Sequence, residues 1–191
     1  MLPNAMKNPE PSVKIVESAL QRGLGWRFVV LFVLIFAALD WGYQYTRGTP
    51  VETALIDVAT VKTSAMLLTV IAPTEQVQAM GHRLVSAHVR MSVLNGCEGT
   101  ETALLIIAAM LAYAVGWRPK LIGILLGVAL VFVLNQLRII TLYLTLRHDA
   151  GWFDMLHGYL LPSVIVFAVC GFFLAWAHSA TPRPLPDASK N

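Results

Sequence analysis

Three side chains with complementary chemistry stand far apart in the chain: Cys97, Arg138 and His157. A cysteine attacks a carbonyl carbon only as its thiolate. An imidazole takes the thiol proton and returns it to a leaving amine. Arginine keeps its charge at any ordinary pH, so it is no base, but it stabilises an oxyanion in a water-poor site. Brought together, the three would perform covalent acyl transfer. Cys97 is one of only two cysteines in 191 residues and sits in the turn-like stretch Asn95-Gly96-Cys97-Glu98-Gly99. Arg138 interrupts an apolar run almost free of charge, where an ionised group is costly and marks a functional site. Asn135 stands one turn before it on the same helical face and is placed to orient it. Taken singly, each residue has an ordinary explanation. Cysteine serves as a small hydrophobe, arginine snorkels to an interface, and a histidine at a helix start is an interfacial polar group.

The elements that must position these residues are membrane helices. Hydrophobic residues make up 57% of the chain and charged residues 13%, about half the charge of a soluble domain. The fold class expected is therefore an all-α integral membrane protein in one domain. A crossing helix needs about 20 apolar residues, and four stretches qualify: 28–45, 100–117, 121–146 and 159–177. Trp41, Tyr43 and Tyr45 close the first as an aromatic interface belt. No small-x-small cleavage site follows Ala38, so this span reads as an uncleaved anchor. Residues 51–72 carry Glu52, Asp57 and Lys62 against apolar residues at helical spacing, as an amphipathic helix on the outer surface does. From Val85 to Val93 apolar and polar residues alternate with strand period. With Gln76–Met80 and a turn at Gly81-His82, this predicts an outer-face hairpin, so that 51–96 forms an outer layer.

Lys7, Lys14, Arg22 and Arg27 precede the first span, and Arg118 and Lys120 lie between the second and third. By the positive-inside rule both regions are cytoplasmic. The ends, 1–25 and 179–191, are then cytoplasmic tails. This topology carries Cys97, Arg138 and His157 to similar depth on the outer side. A bond between Cys97 and Cys170 would need their Cα atoms within about 7 Å. Cys170 lies mid-span, roughly 15–20 Å lower, so Cys97 is expected to be a free thiol. The small net charge of +3 and scattered basic residues give no footing for nucleic acid.

Cys-Glu-Gly at 97–99, Asn-Gln-Leu-Arg-Ile at 135–139 and His157 resemble the C-x-G … N-x-x-R-[IV] … H signature of the exosortase/archaeosortase family. The resemblance runs from about Val85 to Trp176. Glu98 departs from the Ser or Asn that many members carry after the cysteine. What the resemblance implies is a bacterial inner-membrane, sortase-like transpeptidase that works without a cofactor or metal. Its substrates would be exported proteins ending in a short PEP-CTERM-like motif, a hydrophobic helix and a basic tail. Cys97 would form the acyl-enzyme, His157 would move protons, and Arg138 would stabilise the tetrahedral intermediate. Asn135 and Gly99 would support them, and an envelope acceptor would release the product.

Two rival readings use other residues. A transporter or channel component would employ Arg138, Asp40 and Asn135 as pathway groups, which should thread the bilayer rather than gather at one face. A metal-dependent membrane hydrolase would draw on His157, His148, Glu98 or Glu101. No histidine pair has ligand spacing on one helical face.

Overall fold

The computed structural model describes residues 25–94 and 96–181 of the chain. The expected tails fall outside the described residues except at their inner ends. Five main helices, a short 3-10 turn (Pro73–Glu75) and a small sheet form the described residues: α1 (Trp26–Gln44), α2 (Pro50–Ile71), α3 (Thr100–Ala112), α4 (Trp117–His148) and α5 (Ala150–Ala180). Of these, α1, α2, α4 and α5 are long and apolar enough to cross a membrane. The protein is an all-α membrane protein with one small sheet, as its composition demands.

Helices α1, α3, α4 and α5 pack side by side with alternating direction. Phe28, Tyr113, Phe173 and Trp176 interlock at the Trp117 end, with ring centroids about 6 Å apart. Gly123 lets the Trp176 indole lie directly on α4, since a Cβ there would overlap the ring. The indole N–H then donates to the Pro119 carbonyl at 3.1 Å.

The span expected at 100–117 ends instead at Ala112, and Trp117 opens the next helix. Lys120 Nζ closes α3 by donating to the Leu111 carbonyl at 2.7 Å, and residues 113–116 turn tightly into α4, the Val115 amide donating to the Tyr113 carbonyl at 3.0 Å. With 13 residues, α3 is about 20 Å long, shorter than a bilayer core of about 30 Å. The third span is longer than the expected 121–146. Its 32 residues reach about 48 Å, so one end must stand clear of any core packed around the rest.

That overhang organises a second layer. Ile139, Ile140, Leu142 and Tyr143 of α4 pack with Ile56, Val61, Ala65 and Leu68 of α2 and with Leu84, Met91 and Val93 of the sheet. Although α2 is apolar enough to cross, its two ends attach to the same end of the bundle. Its start follows α1 after a short turn, and the Glu75 carboxylate just past its end pairs with Arg147, in the last turn of α4, at 2.8 Å. Between them, Ser64 donates to Gln136 Oε1 at 2.6 Å. These attachments match a helix lying against the bundle rather than through it. Its segment Ala54–Lys62 is a widened π turn, in which Thr60 Oγ1 donates to the Leu55 carbonyl at 2.8 Å.

The expected hairpin is a three-stranded antiparallel sheet, β1 (Gln78–Met80), β2 (Arg83–Val85) and β3 (Arg90–Ser92), in that order. The turn at Gly81-His82 stands where the sequence places it, with Gly81 at φ +58°. The alternating run 85–93 is not one strand, because Ser86 folds it back. Its hydroxyl accepts from the Val89 amide at 3.1 Å and its own amide donates to the Val89 carbonyl at 2.9 Å.

Candidate active site

Cys97 is delivered by β3 and a tight turn, in which its amide donates to the Leu94 carbonyl at 2.9 Å. Gly96 and Gly99 on either side of Cys97-Glu98 both hold left-handed backbone, at φ +88° and +82°. Such values favour glycine because any Cβ would meet the following carbonyl. Gly99 also caps α3, so the positive end of that helix lies just beyond the cysteine. The ideal Cβ of a residue at position 99 would stand 3.0 Å from Asn135 Cγ, so no side chain larger than hydrogen fits without displacing Asn135.

The same contact sets the depth of the site. Asn135 lies 18 residues after Trp117, about 27 Å along α4. Gly99, and Cys97 with it, therefore sits near the far boundary of a bilayer core that begins at Trp117. The layer of α2 and the sheet lies beyond it.

His157 arrives from α5. The stretch between the expected spans 121–146 and 159–177 is mostly helical, α5 running from Ala150 to Ala180. His157 occupies a π turn over Leu156–Leu160, in which the Leu161 amide reaches back to the Leu156 carbonyl. Pro162 lies just beyond. It has no N–H to give the Gly158 carbonyl and crowds the preceding turn, and widening that turn relieves the conflict. The imidazole stacks on Phe153, with centroids 5.3 Å apart and planes at 15°. Its Nε2 lies 3.5 Å from Cys97 Sγ, within hydrogen-bonding reach for sulfur. Both side chains are half-buried and neither cysteine is bonded to another.

Arg138 is half-buried, and its charge and that of Asp154 are both within electrostatic range of the His157 imidazole. Its Nε is shielded from solvent and has no hydrogen-bond partner among the described residues. Asn135 is 2% exposed, and neither its amide nitrogen nor its amide oxygen is bonded. Unpaired buried polar groups are costly, and these stand on the stretch of α4 whose Asn135 packs against Gly99, two residues after Cys97. A polar group entering from outside would satisfy them.

Glu98 is buried, and its Oε1 accepts from the Tyr43 hydroxyl at 2.7 Å. Tyr43 is thus not a member of the aromatic belt. It is the one buried residue of α1, while Trp41 and Tyr45 face outward. The structure brings together Cys97 and His157 directly and Asn135 against Gly99, with Arg138 within electrostatic range of the imidazole. Glu101 and His148 are exposed on different helices, and Asp40 accepts from Gln44 at 3.5 Å within α1. Among the described residues, no three His, Cys, Asp or Glu side chains cluster as metal ligands.

From the sequence, Tyr43 reads only as a belt residue, Gln136 has no role of its own, and Phe153 is passed over. Phe153 was legible, since it stands four residues before His157 on a helix. The Tyr43–Glu98 bond joins positions 55 apart and leaves no local pattern. Compared with known protein families, characterised proteins and solved structures, the chain has no match.

Proposed function

We propose that the protein is a membrane-embedded cysteine transpeptidase or endopeptidase that cleaves the C-terminal sorting segments of exported proteins. The observation that carries this reading is the 3.5 Å approach of Cys97 Sγ to His157 Nε2. His157 accepts the thiol proton, and the sulfur adds to the scissile carbonyl carbon. Arg138, with its unpartnered Nε, stabilises the resulting oxyanion. The carbon–nitrogen bond breaks, His157 protonates the departing amine, and a thioester to Cys97 remains. A second nucleophile, from an envelope acceptor or water, gives its proton to His157 and releases the acyl group.

In this reading the membrane is the bacterial inner membrane, with both termini cytoplasmic and the Cys97 end outside. The basic residues at the Trp117 end and the depth of Gly99 along α4 support that orientation. The substrate's hydrophobic helix lies beside the bundle, and its cleavage motif emerges at the level of the thiol. Co-expression with an exported protein that carries a motif, a hydrophobic helix and a basic tail tests the proposal. Cys97→Ala is expected to abolish processing while the variant still accumulates in the membrane. Undiminished processing would overturn it.

A further inference from the structure

The outer edge of β3 is open, and it leads to the thiol. The Val93 amide donates to the His82 carbonyl at 2.8 Å, and the Val89 carbonyl accepts from the Ser86 amide at 2.9 Å. Odd-numbered residues of this strand therefore turn their main-chain groups toward β2, and by strand period Arg90 and Ser92 turn theirs away from it. Among the described residues no strand pairs with that side, since β3 ends the sheet. The strand is short and carries one exposed charge, Arg90, both of which limit open-ended pairing, but no proline interrupts Arg90-Met91-Ser92, so its main-chain groups stay available to a short peptide.

One face of the sheet is sealed against α2 and α4 through Leu84 and Met91. Its other face carries Arg83 and Arg90 on neighbouring strands, opposite Ser92 and Val85 respectively. Both guanidinium groups are exposed, and neither has an ion-pair partner among the described residues. The Glu75 carboxylate is taken by Arg147.

We propose that this edge binds an extended peptide segment as a parallel fourth strand, and that Arg83 and Arg90 select an acidic side chain on it. The inference rests on the transpeptidase reading for the identity of the peptide, which is the stretch just before the scissile bond. Two features commit the site to that occupant. The first is continuity: β3 runs through Val93 and Leu94 into the turn closed by the Cys97 amide, so a peptide beside β3 is carried to the sulfur. The second is polarity. The chain itself passes from strand to Cys97 to the apolar helix α3. A substrate with an extended motif followed by a hydrophobic helix follows the same path only when parallel to β3. Main-chain pairing supplies affinity indifferent to sequence, and the two cations supply selection.

The test uses full-length Cys97→Ala protein in lipid nanodiscs, so that binding is read without turnover. Two pools of blocked decapeptides serve as probes. They are identical except that one fixes Glu and the other Lys at alternate positions. Amide hydrogen exchange over 90–94 is followed by mass spectrometry. The Glu pool is expected to slow exchange there at least tenfold and the Lys pool to leave it unchanged. Arg83→Glu with Arg90→Glu should reverse the preference. No slowing with either pool, or equal slowing with both, would overturn the proposal. Slowing that needs only higher protein concentration would assign the edge to a second copy of the chain and overturn it as well. Failure of the thiol chemistry leaves this readout intact, and failure here leaves the thiol chemistry untouched.

Discussion

The sulfur of Cys97 lies 3.5 Å from Nε2 of His157 although 60 residues separate them in the chain. One comes from the turn between a sheet and a helix, the other from a π turn in the last helix, and Phe153 fixes the ring plane. His157→Phe keeps an aromatic ring to stack on Phe153 and removes both ring nitrogens. Turnover of a sorting substrate is expected to fall about 10²- to 10⁴-fold, the usual worth of a positioned acid–base group. The thermal midpoint in detergent should be unchanged. A rate within a factor of two of the parent would remove His157 from the reaction.

Arg138, within electrostatic range of that imidazole, is expected to need its planar guanidinium. Arg138→Lys preserves the positive charge and loses the fork that reaches an oxyanion through fixed N–H donors. Loss of one such donor costs about 10²- to 10³-fold in turnover, and that fall should appear in kcat with little change in KM. A change confined to KM would make Arg138 a substrate-binding group.

Gly99 tests the local architecture of the turn. At φ +82° a non-glycine residue is strained by about 1–2 kcal/mol, and its Cβ would stand 3.0 Å from Asn135 Cγ. Gly99→Ala is therefore expected to lower the thermal midpoint and to abolish processing. Adding Asn135→Gly relieves the contact but not the backbone strain, so stability should recover in part. An unperturbed single variant would show that the turn adopts another conformation.

Much of this site was legible before any coordinates. Cys97, Arg138 and His157 stand out because a thiol at the head of an apolar run, a charge within one and an imidazole before one are each expensive or rare in that setting. Helical rise then brings them to one depth, and in the structure Gly99 does lie against Asn135. The limits of the elements were less legible. Trp117 reads equally well as the end of one span or the start of the next, and tertiary contacts of Lys120 and Trp176 decide between them. The strand at 85–93 obeys the right period but is broken by the side chain of Ser86, a local hydrogen bond that periodicity does not register. Apolarity alone would send α2 through the membrane. The ion pair of Glu75 with Arg147, 72 residues apart, ties its end back to the side on which it began. Glu98 departs from the Ser or Asn of the signature that the sequence resembles, and only the fold shows its Oε1 accepting from Tyr43.

The most direct measurement is of the covalent intermediate itself. Full-length protein co-expressed with a sorting substrate would be quenched in acid, digested and mapped by mass spectrometry. The account predicts a substrate-derived acyl group on the peptide that contains Cys97, released by neutral hydroxylamine as a thioester is. Substrate cleaved without any such adduct, and cleaved equally well by Cys97→Ala protein, would contradict it.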